Sequence, residues 1–549
     1  MAVQIPRLRV PFAPACFAVL GAWLALTPSL LPRAAVLQGA LCAVVGMLAY
    51  AVGALIGWVA RGLGLKLRGR PRRIAWRCLA VAGAVGSIVV LVVHVRQQQR
   101  MGAAIGVDTV GLIDIPVIVL VAAAVGAALL AVSRLIRAAG RLLGRLVGKV
   151  LPPNLGRVLG AAVVAVAVLL GINASLTGKL LTALDSAFML VNDEFRTETP
   201  APTGSHLSAG PASDVTWDDL GRQGRLFIAA APTGQQISEF TGKEGLDPVR
   251  AYVGVGGDRL VELRGQAEEA VDELERLGGF DRAVINIVTG TGRGWVNENQ
   301  SRALEYMWNG DTATVSLQYS YLPSWLSFLV DTQRAQDAGR FLFEAVYARW
   351  QDLPDGDRPL LVVSGESLGS FGGEAAFSGA QDMAERTAGA LFVGPTGNNR
   401  LWSRFTAERD AGTPEVLPTY QQGINVRFAD TPEDWDRPGT DWPQPRIGYL
   451  QHANDPITWW DGSLAFERPD WLREPRGRGV LPETTWVPVV TWLQLAADQL
   501  VASAVPDGQG HEFGQAPVVA WARILPSPGW SDGDTERLAE LIRDTEIQR

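Results

Sequence analysis

Five apolar stretches occupy most of the first 180 residues, and they limit the possible folds more than any other feature of the chain. They cover about residues 12–31, 34–59, 78–95, 115–132 and 158–176. Each is close to the roughly 20 residues that a helix needs to cross the hydrocarbon core of a bilayer. A cleaved signal peptide would explain the first stretch but not the next four. The sequence therefore predicts a transmembrane domain of about five helices in residues 1–176.

Basic residues in the loops predict how these helices are oriented. The second loop, within residues 61–77, holds seven Lys and Arg, and the fourth, within residues 134–157, holds six. The first loop has only Arg33, and the third has only Arg96 and Arg100. Because basic residues accumulate on the cytoplasmic side of a membrane, the N-terminus is expected in the cytoplasm. Five crossings then place the remainder of the chain on the extracytoplasmic side of the plasma membrane.

The charge of the chain separates into two parts. Residues 1–180 carry 19 Lys and Arg but only Asp108 and Asp114, a net +17, so the total of −7 leaves −24 for the rest. A nucleic-acid-binding protein would be expected to carry its basic residues on its folded soluble part, so no nucleic-acid partner is predicted. The interiors of the apolar stretches contain no Asp, Glu, Lys or Arg. This favours an anchor in the lipid bilayer over an ion pathway.

Residues 177–214 are expected to connect the membrane domain to a catalytic domain at 215–549. The first part of this connection is amphipathic and is predicted to lie along the membrane surface. The second part, TETPAPTGSHLSAGPASD at 197–214, has the composition of a flexible linker.

Beyond residue 214, short apolar runs alternate with helical patterns. The predicted strands are RLFIAAA, VRAYVGV, RAVINIVTG, TVSLQYSYL, PLLVVSG, GALFVGP and RIGYLQ. GQAEEAVDELERLG and TQRAQDAGRFLFEAVYARW have helical periodicity. Alternation of nearly continuous apolar strands with helices predicts an α/β fold whose mainly parallel sheet is covered on both faces.

No cofactor and no metal site is predicted. All three cysteines, Cys16, Cys42 and Cys78, precede residue 180, so the rest of the chain has neither a disulfide nor a thiolate metal site. The sequence GVGG at 254–257 lacks the full spacing of a dinucleotide-binding fingerprint.

A candidate nucleophile follows the predicted strand PLLVVSG. The motif G-x-S-x-G is present as Gly365-Glu366-Ser367-Leu368-Gly369, and small residues open a helix after it. In this motif the glycines allow a sharp strand-to-helix turn that exposes the serine hydroxyl above the sheet. The alternative is a tight turn without catalysis.

A serine hydroxyl needs a positioned base, and that base is usually histidine. Of the four histidines, His511 follows the motif in a glycine-rich loop, as expected for the order serine, acid, histidine. Asp455, in HANDPI after the strand RIGYLQ, is the preferred acid. Asp430 is the first alternative and Asp461 the second.

Backbone N–H groups of Leu368 and Thr291 are expected to form the oxyanion hole. Thr291 lies in TGTGRGW, which follows the strand RAVINIVTG. Tryptophan is dense in the soluble part, which holds 15 of the 18. Trp295, Trp459 and Trp460 are therefore candidates for contact with substrate, against the alternative that they pack in the core.

Several segments resemble a family of bacterial, chiefly actinobacterial, membrane α/β-hydrolases with an N-terminal multi-helix region. The resemblance is carried by TGTGRGWV, LQYSYLPSWLS, SGESLGSFGGE, VGPTGNN, YLQHANDPITWW, PDWL and VPDGQGHEF. It implies the α/β-hydrolase fold and a triad of Ser367, Asp455 and His511, but no substrate. In VPDGQGHEF the chain has Gln509 where relatives tend towards histidine, so substrate handling could differ here.

These observations favour a membrane-anchored serine hydrolase that acts on lipid or cell-envelope esters. Acyl transfer would use the same residues, with another hydroxyl in place of water. The alternative is a non-catalytic envelope or transport-associated protein that keeps the fold, because a fold does not guarantee activity. The sequence indicates no particular protein partner.

Overall fold

The computed structural model describes residues 11–65, 69–147, 200–255, 263–322 and 332–545. The chain divides into two compact units. One contains residues 1–180 and 461–506, and the other contains residues 181–460 and 507–549. The sequence did not indicate that residues 461–506, here called the insertion, belong with the N-terminal residues. The predicted boundaries at 176 and 214 remain predictions.

The first unit is helical. Its helices, numbered along the whole chain, are α1 (Phe12–Leu24), α2 (Ala35–Gly62), α3 (Gly69–Ile105), α4 (Ile115–Val147) and, from the insertion, α13 (Val490–Asp498). Three apolar segments are long enough to cross a membrane: Ala35–Gly62, Gly69–Ile105 and Leu112–Ala138. The described residues thus contain three full-length candidate spans where about five were predicted. Helix α1 has only 13 residues, and the stretch 158–176 lies outside the described residues.

Small residues allow α1 and α2 to pack closely. A Cβ atom at Gly21 would lie 2.6 Å from the Cβ of Ala49, and one at Gly53 would lie 2.9 Å from the carbonyl oxygen of Ala13. Glycine at these positions therefore permits backbone contact of the kind that stabilises helix pairs in lipid.

In its described residues, the second unit contains one sheet of seven strands. The strands are β1 (Val249–Val253), β2 (Val284–Thr289), β3 (Thr312–Leu317), β4 (Leu360–Glu366), β5 (Gly389–Val393), β6 (Val426–Ala429) and β7 (Arg446–Leu450). Their order is β1-β3-β2-β4-β5-β7-β6. Every pair is parallel, so all carboxyl ends lie at one edge.

Helices cover both faces of this sheet. They are α5 (Gly221–Ala229), α6 (Gly234–Thr241), α7 (Leu263–Arg276), α8 (Glu298–Met307), α9 (Thr332–Gln351), α10 (Leu368–Gly373), α11 (Ala380–Arg386), α12 (Arg400–Ala407), α14 (Ala516–Ile524) and α15 (Asp532–Arg543). Val362 packs in a core with residues of α8 and α14. Its neighbour Val363 faces α10. Because side chains alternate along a strand, these are opposite faces, which explains the apolar strands.

The fold confirms the predicted α/β class, with local differences. RLFIAAA, predicted as a strand, lies mostly in α5, because Phe227 and Ile228 bury one face of a helix rather than a face of the sheet. Part of the predicted linker is also packed. The N–H of Ser208 donates to the carbonyl of Arg250 in β1, and the Ser208 hydroxyl donates to Glu273 at 2.8 Å. Polar groups of this segment therefore form hydrogen bonds with the edge strand β1 and with α7.

A buried carboxyl group, directly after α10, is hydrogen-bonded to the start of α12. Glu374 is 1 % exposed and accepts hydrogen bonds from the N–H groups of Leu401 and Trp402 at the start of α12. The Tyr449 hydroxyl donates to it at 3.0 Å. Burial raises the pKa of Glu374 from 4.5 to about 7, so the folded state holds a proton that the unfolded state releases earlier.

This proton predicts a pH-dependent stability. The stabilisation from Glu374 is fully present below about pH 4.5 and is lost as the pH rises through about 7. We expect the advantage of wild type over Glu374→Gln to shrink by on the order of 3 kcal/mol between pH 5 and pH 8. Thermal melting of both proteins across this range measures it. Glu385→Gln, at an exposed site on α11, is the control. If the stability difference from wild type changes with pH no more for Glu374→Gln than for Glu385→Gln, the assignment is contradicted.

Candidate active site

Three adjacent strands end at the edge of the sheet where the candidate catalytic residues lie. Strand β5 pairs with β4 on one side and β7 on the other. Ser367 directly follows β4, Gly394 directly follows β5, and Asp455 lies five residues after the end of β7. In a parallel sheet, residues that follow neighbouring strands at their carboxyl ends lie close together.

The backbone at Ser367 forms a sharp, strained turn. Its φ is 56° and its ψ is −123°, a conformation that costs a non-glycine residue about 1–3 kcal/mol. A Cβ at Gly365 would lie 2.4 Å from the carbonyl oxygen of Gly369, and one at Gly369 would lie 2.2 Å from that of Thr289. Both glycines of G-x-S-x-G are therefore required by backbone contact. Ser367 is half-buried, whereas its neighbours are buried.

The candidate acid and base are in direct contact. His511 Nδ1 lies 2.6 Å from Asp455 Oδ2. An ionised carboxylate only accepts, so Nδ1 donates and Nε2 is left with the lone pair that a base needs. Asp455 is fully buried and His511 is 5 % exposed. Asp455 Oδ1 accepts the N–H of Ile457 at 2.8 Å. Oδ2, which contacts His511, also accepts the Thr458 hydroxyl at 3.2 Å.

The loop after β7 is also hydrogen-bonded to the loop that carries His511. His452 Nδ1 donates to the carbonyl of Gly510 at 2.9 Å, and the Gly510 N–H donates to Asn454 at 2.9 Å. The Asn454 amide donates to Gln509 at 2.8 Å. Gln509, the residue singled out in the sequence, therefore joins the two loops. His452 therefore contacts the loop that carries His511.

The end of β5 borders both the candidate nucleophile and the candidate base. The N–H of Ser367 donates to the carbonyl of Val393 at 2.9 Å. A Cβ on the next residue, Gly394, would lie 2.4 Å from Cε1 of His511. Ser367 and the His511 imidazole thus both border the Val393–Gly394 turn. The structure therefore places Ser367 and His511 at the same turn and Asp455 in contact with His511, and their catalytic roles remain predictions.

The alternative acid Asp430 is placed differently. It lies in a turn after β6, the strand at the edge of the sheet. In this turn the N–H groups of Asp430 and Thr431 donate to the Asp434 carboxylate at 3.1 and 2.8 Å. The carboxylate that contacts His511 is that of Asp455. The other alternative, Asp461, accepts the N–H of Ser463 in the first unit.

The two predicted oxyanion donors differ in availability. Leu368 opens α10, and the first N–H groups of a helix have no acceptor within the helix. The N–H of Thr291 instead donates to the carbonyl of Trp295 at 2.9 Å. The Thr291 amide is therefore used within its own turn, and its contact with the oxyanion stays a prediction. The Thr289–Gly290 backbone nevertheless lies against Gly369, so the correct loop borders the nucleophile.

The tryptophans predicted to contact substrate fall into two groups. Trp459 is 3 % exposed, donates its ring N–H to the carbonyl of His452 at 3.0 Å and packs edge-on against Trp402. Trp459 therefore packs in the core and holds the Asp455 loop in place, which agrees with the alternative to substrate contact. Trp295 and Trp460 are half-buried, and their contact with substrate remains a prediction.

Glu366, the residue before the candidate nucleophile, is a part of the site that was not predicted from the sequence. Its carboxylate is 5 % exposed and accepts hydrogen bonds from the side-chain amides of Asn297 and, at 3.3 Å, Gln300. Asn297 caps α8 directly after the glycine-rich loop. Glu366 therefore ties that loop to the nucleophile turn. The available signal was a carboxylate at the end of a buried strand, where such a group needs a partner.

With this geometry in place, comparison with known proteins decides the family. The sequence model of an α/β-hydrolase family matches residues 249–538, which is more than half of the chain. The chain belongs to this α/β-hydrolase family. The model of the same family's N-terminal region matches residues 26–232. No curated protein and no solved structure matches the chain significantly.

Membership of the α/β-hydrolase family indicates a hydrolase-type function, and the long apolar helices indicate association with a membrane. The match to the N-terminal model begins at residue 26 and so takes in the loop between α1 and α2. The helical part is therefore a regular component of this α/β-hydrolase family rather than an unrelated leader.

Glu366 offers a test of how the site is assembled. We expect Glu366→Ala to slow the reaction of Ser367 with a fluorophosphonate by about tenfold to a hundredfold, because the glycine-rich loop loses its attachment. Glu366→Gln keeps an acceptor oxygen and should retain most of the rate. The second-order labelling rate constant measures both.

Glu344→Ala, at an exposed site on α9, is the matched control for this comparison. Each variant's melting temperature reports whether it is folded. A folded Glu366→Ala protein that is labelled as fast as wild type would show that the attachment has no role in positioning the site.

Proposed function

We propose that this α/β-hydrolase is a membrane-anchored serine hydrolase that cleaves, or transfers the acyl group of, a lipid or cell-envelope ester. The observation that carries the proposal is the buried 2.6 Å contact between Asp455 and His511 beside the strained turn at Ser367. A scaffold protein needs neither a strained serine nor a buried acid–imidazole pair.

Acylation uses the three side chains in order. The Ser367 hydroxyl attacks the ester carbonyl while His511 Nε2 takes its proton, and Asp455 stabilises the imidazolium that forms. The Leu368 N–H is the proposed donor to the oxyanion of the tetrahedral intermediate. Collapse of the intermediate breaks the bond to the alcohol, which leaves with the proton from His511.

Deacylation repeats these steps with a second hydroxyl compound. His511 removes a proton from water or from an acceptor alcohol, whose oxygen attacks the acyl-serine. Water completes hydrolysis, and an alcohol completes acyl transfer. The same residues serve both reactions, so the acceptor determines the product.

The first unit supports an extracytoplasmic location for the catalytic residues. The insertion contacts the α1–α2 loop through Asp498 and Arg33, and it contacts the end of α3 through Glu483 and Arg100. These ends carry few basic residues. Helix α2 has 28 residues, about 42 Å, and the strongly basic segment follows its far end. By the positive-inside rule, the insertion side faces away from the cytoplasm of a multi-pass plasma-membrane protein.

Labelling of the full-length protein with a fluorophosphonate tests the proposal. We expect strong labelling of wild type and none of Ser367→Ala. Asp455→Asn and His511→Ala should lower the labelling rate by roughly three to four orders of magnitude, because the base loses its orientation or is absent. In-gel fluorescence and intact-protein mass spectrometry measure the adduct.

Two matched controls sharpen this experiment. Asp430→Asn alters the alternative acid, and His206→Ala removes a histidine outside the site; both should be labelled like wild type. Loss of labelling in Asp430→Asn with retention in Asp455→Asn would reassign the acid. A folded wild type that resists labelling would instead support a non-catalytic envelope protein.

A further inference from the structure

The insertion places an unusual constraint on the chain. It lies between the proposed acid and the proposed base, yet it packs with the N-terminal helices in the first unit. The insertion begins at Asp461, six positions after Asp455, and ends at Pro506, five positions before His511. An extended chain of six residues spans at most about 20 Å.

A buried ion pair fixes the insertion to the loop between α1 and α2, residues 25–34. Asp498, at the end of α13, lies 3.4 Å from the Arg33 guanidinium, and both side chains are fully buried. The second oxygen of Asp498 accepts the N–H groups of Leu30 and Leu31 at 3.1 and 3.4 Å. The Asp498 carboxylate therefore binds both the charged side chain of Arg33 and the backbone N–H groups of the loop.

Further hydrogen bonds join the insertion to the same loop. The Gln494 amide donates to the carbonyl and the hydroxyl of Thr27 at 2.8 and 3.1 Å. Thr484 donates to the carbonyl of Ser29 at 3.3 Å. Buried backbone groups must find partners, and the insertion supplies them for this loop.

Apolar contacts complete the attachment. Val490 of α13 belongs to one buried cluster with Leu26 in the loop and with Leu41 and Val45 of α2. The α1–α2 loop joins two apolar helices at what would be the membrane surface. The attachment therefore connects the chain on both sides of the insertion to that surface.

We propose that the attachment of the insertion to the α1–α2 loop holds the catalytic serine at the membrane surface, so that its substrate is an ester embedded in the adjacent lipid leaflet. This inference rests on the proposed function. Arg33 and Asp498 are positioning residues: they keep the site next to its substrate and take no part in the bond changes. A short soluble ester does not need this attachment.

The test compares two substrates on full-length protein in nanodiscs of phosphatidylglycerol and phosphatidylethanolamine. One is a fluorogenic oleoyl ester embedded in the nanodisc, and the other is soluble para-nitrophenyl butyrate. Arg33→Met leaves the Asp498 carboxylate buried without its cation and should weaken the attachment. We expect turnover of the oleoyl ester to fall about tenfold or more, because the effective concentration of the site at the leaflet falls. Butyrate turnover and fluorophosphonate labelling should change less than about twofold, because the triad does not depend on the attachment.

Two further variants make the result specific. Arg33→Met/Asp498→Asn removes the unpaired charge but keeps an acceptor for the loop, so it should restore oleoyl ester turnover. Arg100→Met removes a cation from the exposed pair with Glu483, whose side chains are 56 % and 43 % exposed, and should leave both activities unchanged. If Arg33→Met does not fold, Asp498→Asn alone, which keeps the side-chain volume, takes its place.

Each remaining outcome overturns the inference in a recognisable way. Equal loss of both activities in a folded variant would show that the attachment organises the triad itself. No loss of either activity would show that the attachment is irrelevant to catalysis. If wild type hydrolyses butyrate but not the embedded ester, a substrate in the leaflet is excluded. If wild type is not labelled by the fluorophosphonate at all, the proposed function itself is wrong.

Discussion

Parallel pairing of β4, β5 and β7 is the constraint on which the candidate site depends. It brings the turn at Ser367, the turn at Gly394 and the loop of Asp455 to one edge of the sheet. Hydrogen bonds across the strand ends then fix the turns, since Ser367 bonds to Val393 and Gly394 bonds to Leu450. The strain at Ser367 is maintained because the surrounding sheet determines the position of both its neighbours.

Most of this arrangement could be predicted because it follows from local patterns. The apolar strands and the G-x-S-x-G turn depend on residues that are close in the sequence, and the order serine, acid, histidine can be read directly along the chain. The structure pairs Asp455 with His511 as expected. The same local patterns identified the helices α7 and α9.

The features that the sequence did not reveal depend on contacts between distant residues. Glu366 meets Asn297 from 69 positions away, and Arg250 meets Glu305 in a fully buried pair from 55 positions away. The N–H of Thr291 was assigned to the oxyanion, but a short turn to Trp295 uses it. RLFIAAA was read as a strand because short apolar runs fit either periodicity. Distant partners decided the contacts of Glu366 and Arg250, whereas a local turn decided that of Thr291.

The discontinuous first unit changes what proteolysis can do to this molecule. In many anchored enzymes one cut in the connecting segment releases the catalytic part into solution. Here a cut near residues 200–205 would leave the insertion, which remains part of the catalytic fragment, bound to the N-terminal helices through Asp498 and Val490. Release would also require a buried ion pair and an apolar cluster to separate. The fragment that carries the insertion would therefore stay bound to the N-terminal helices through these non-covalent contacts.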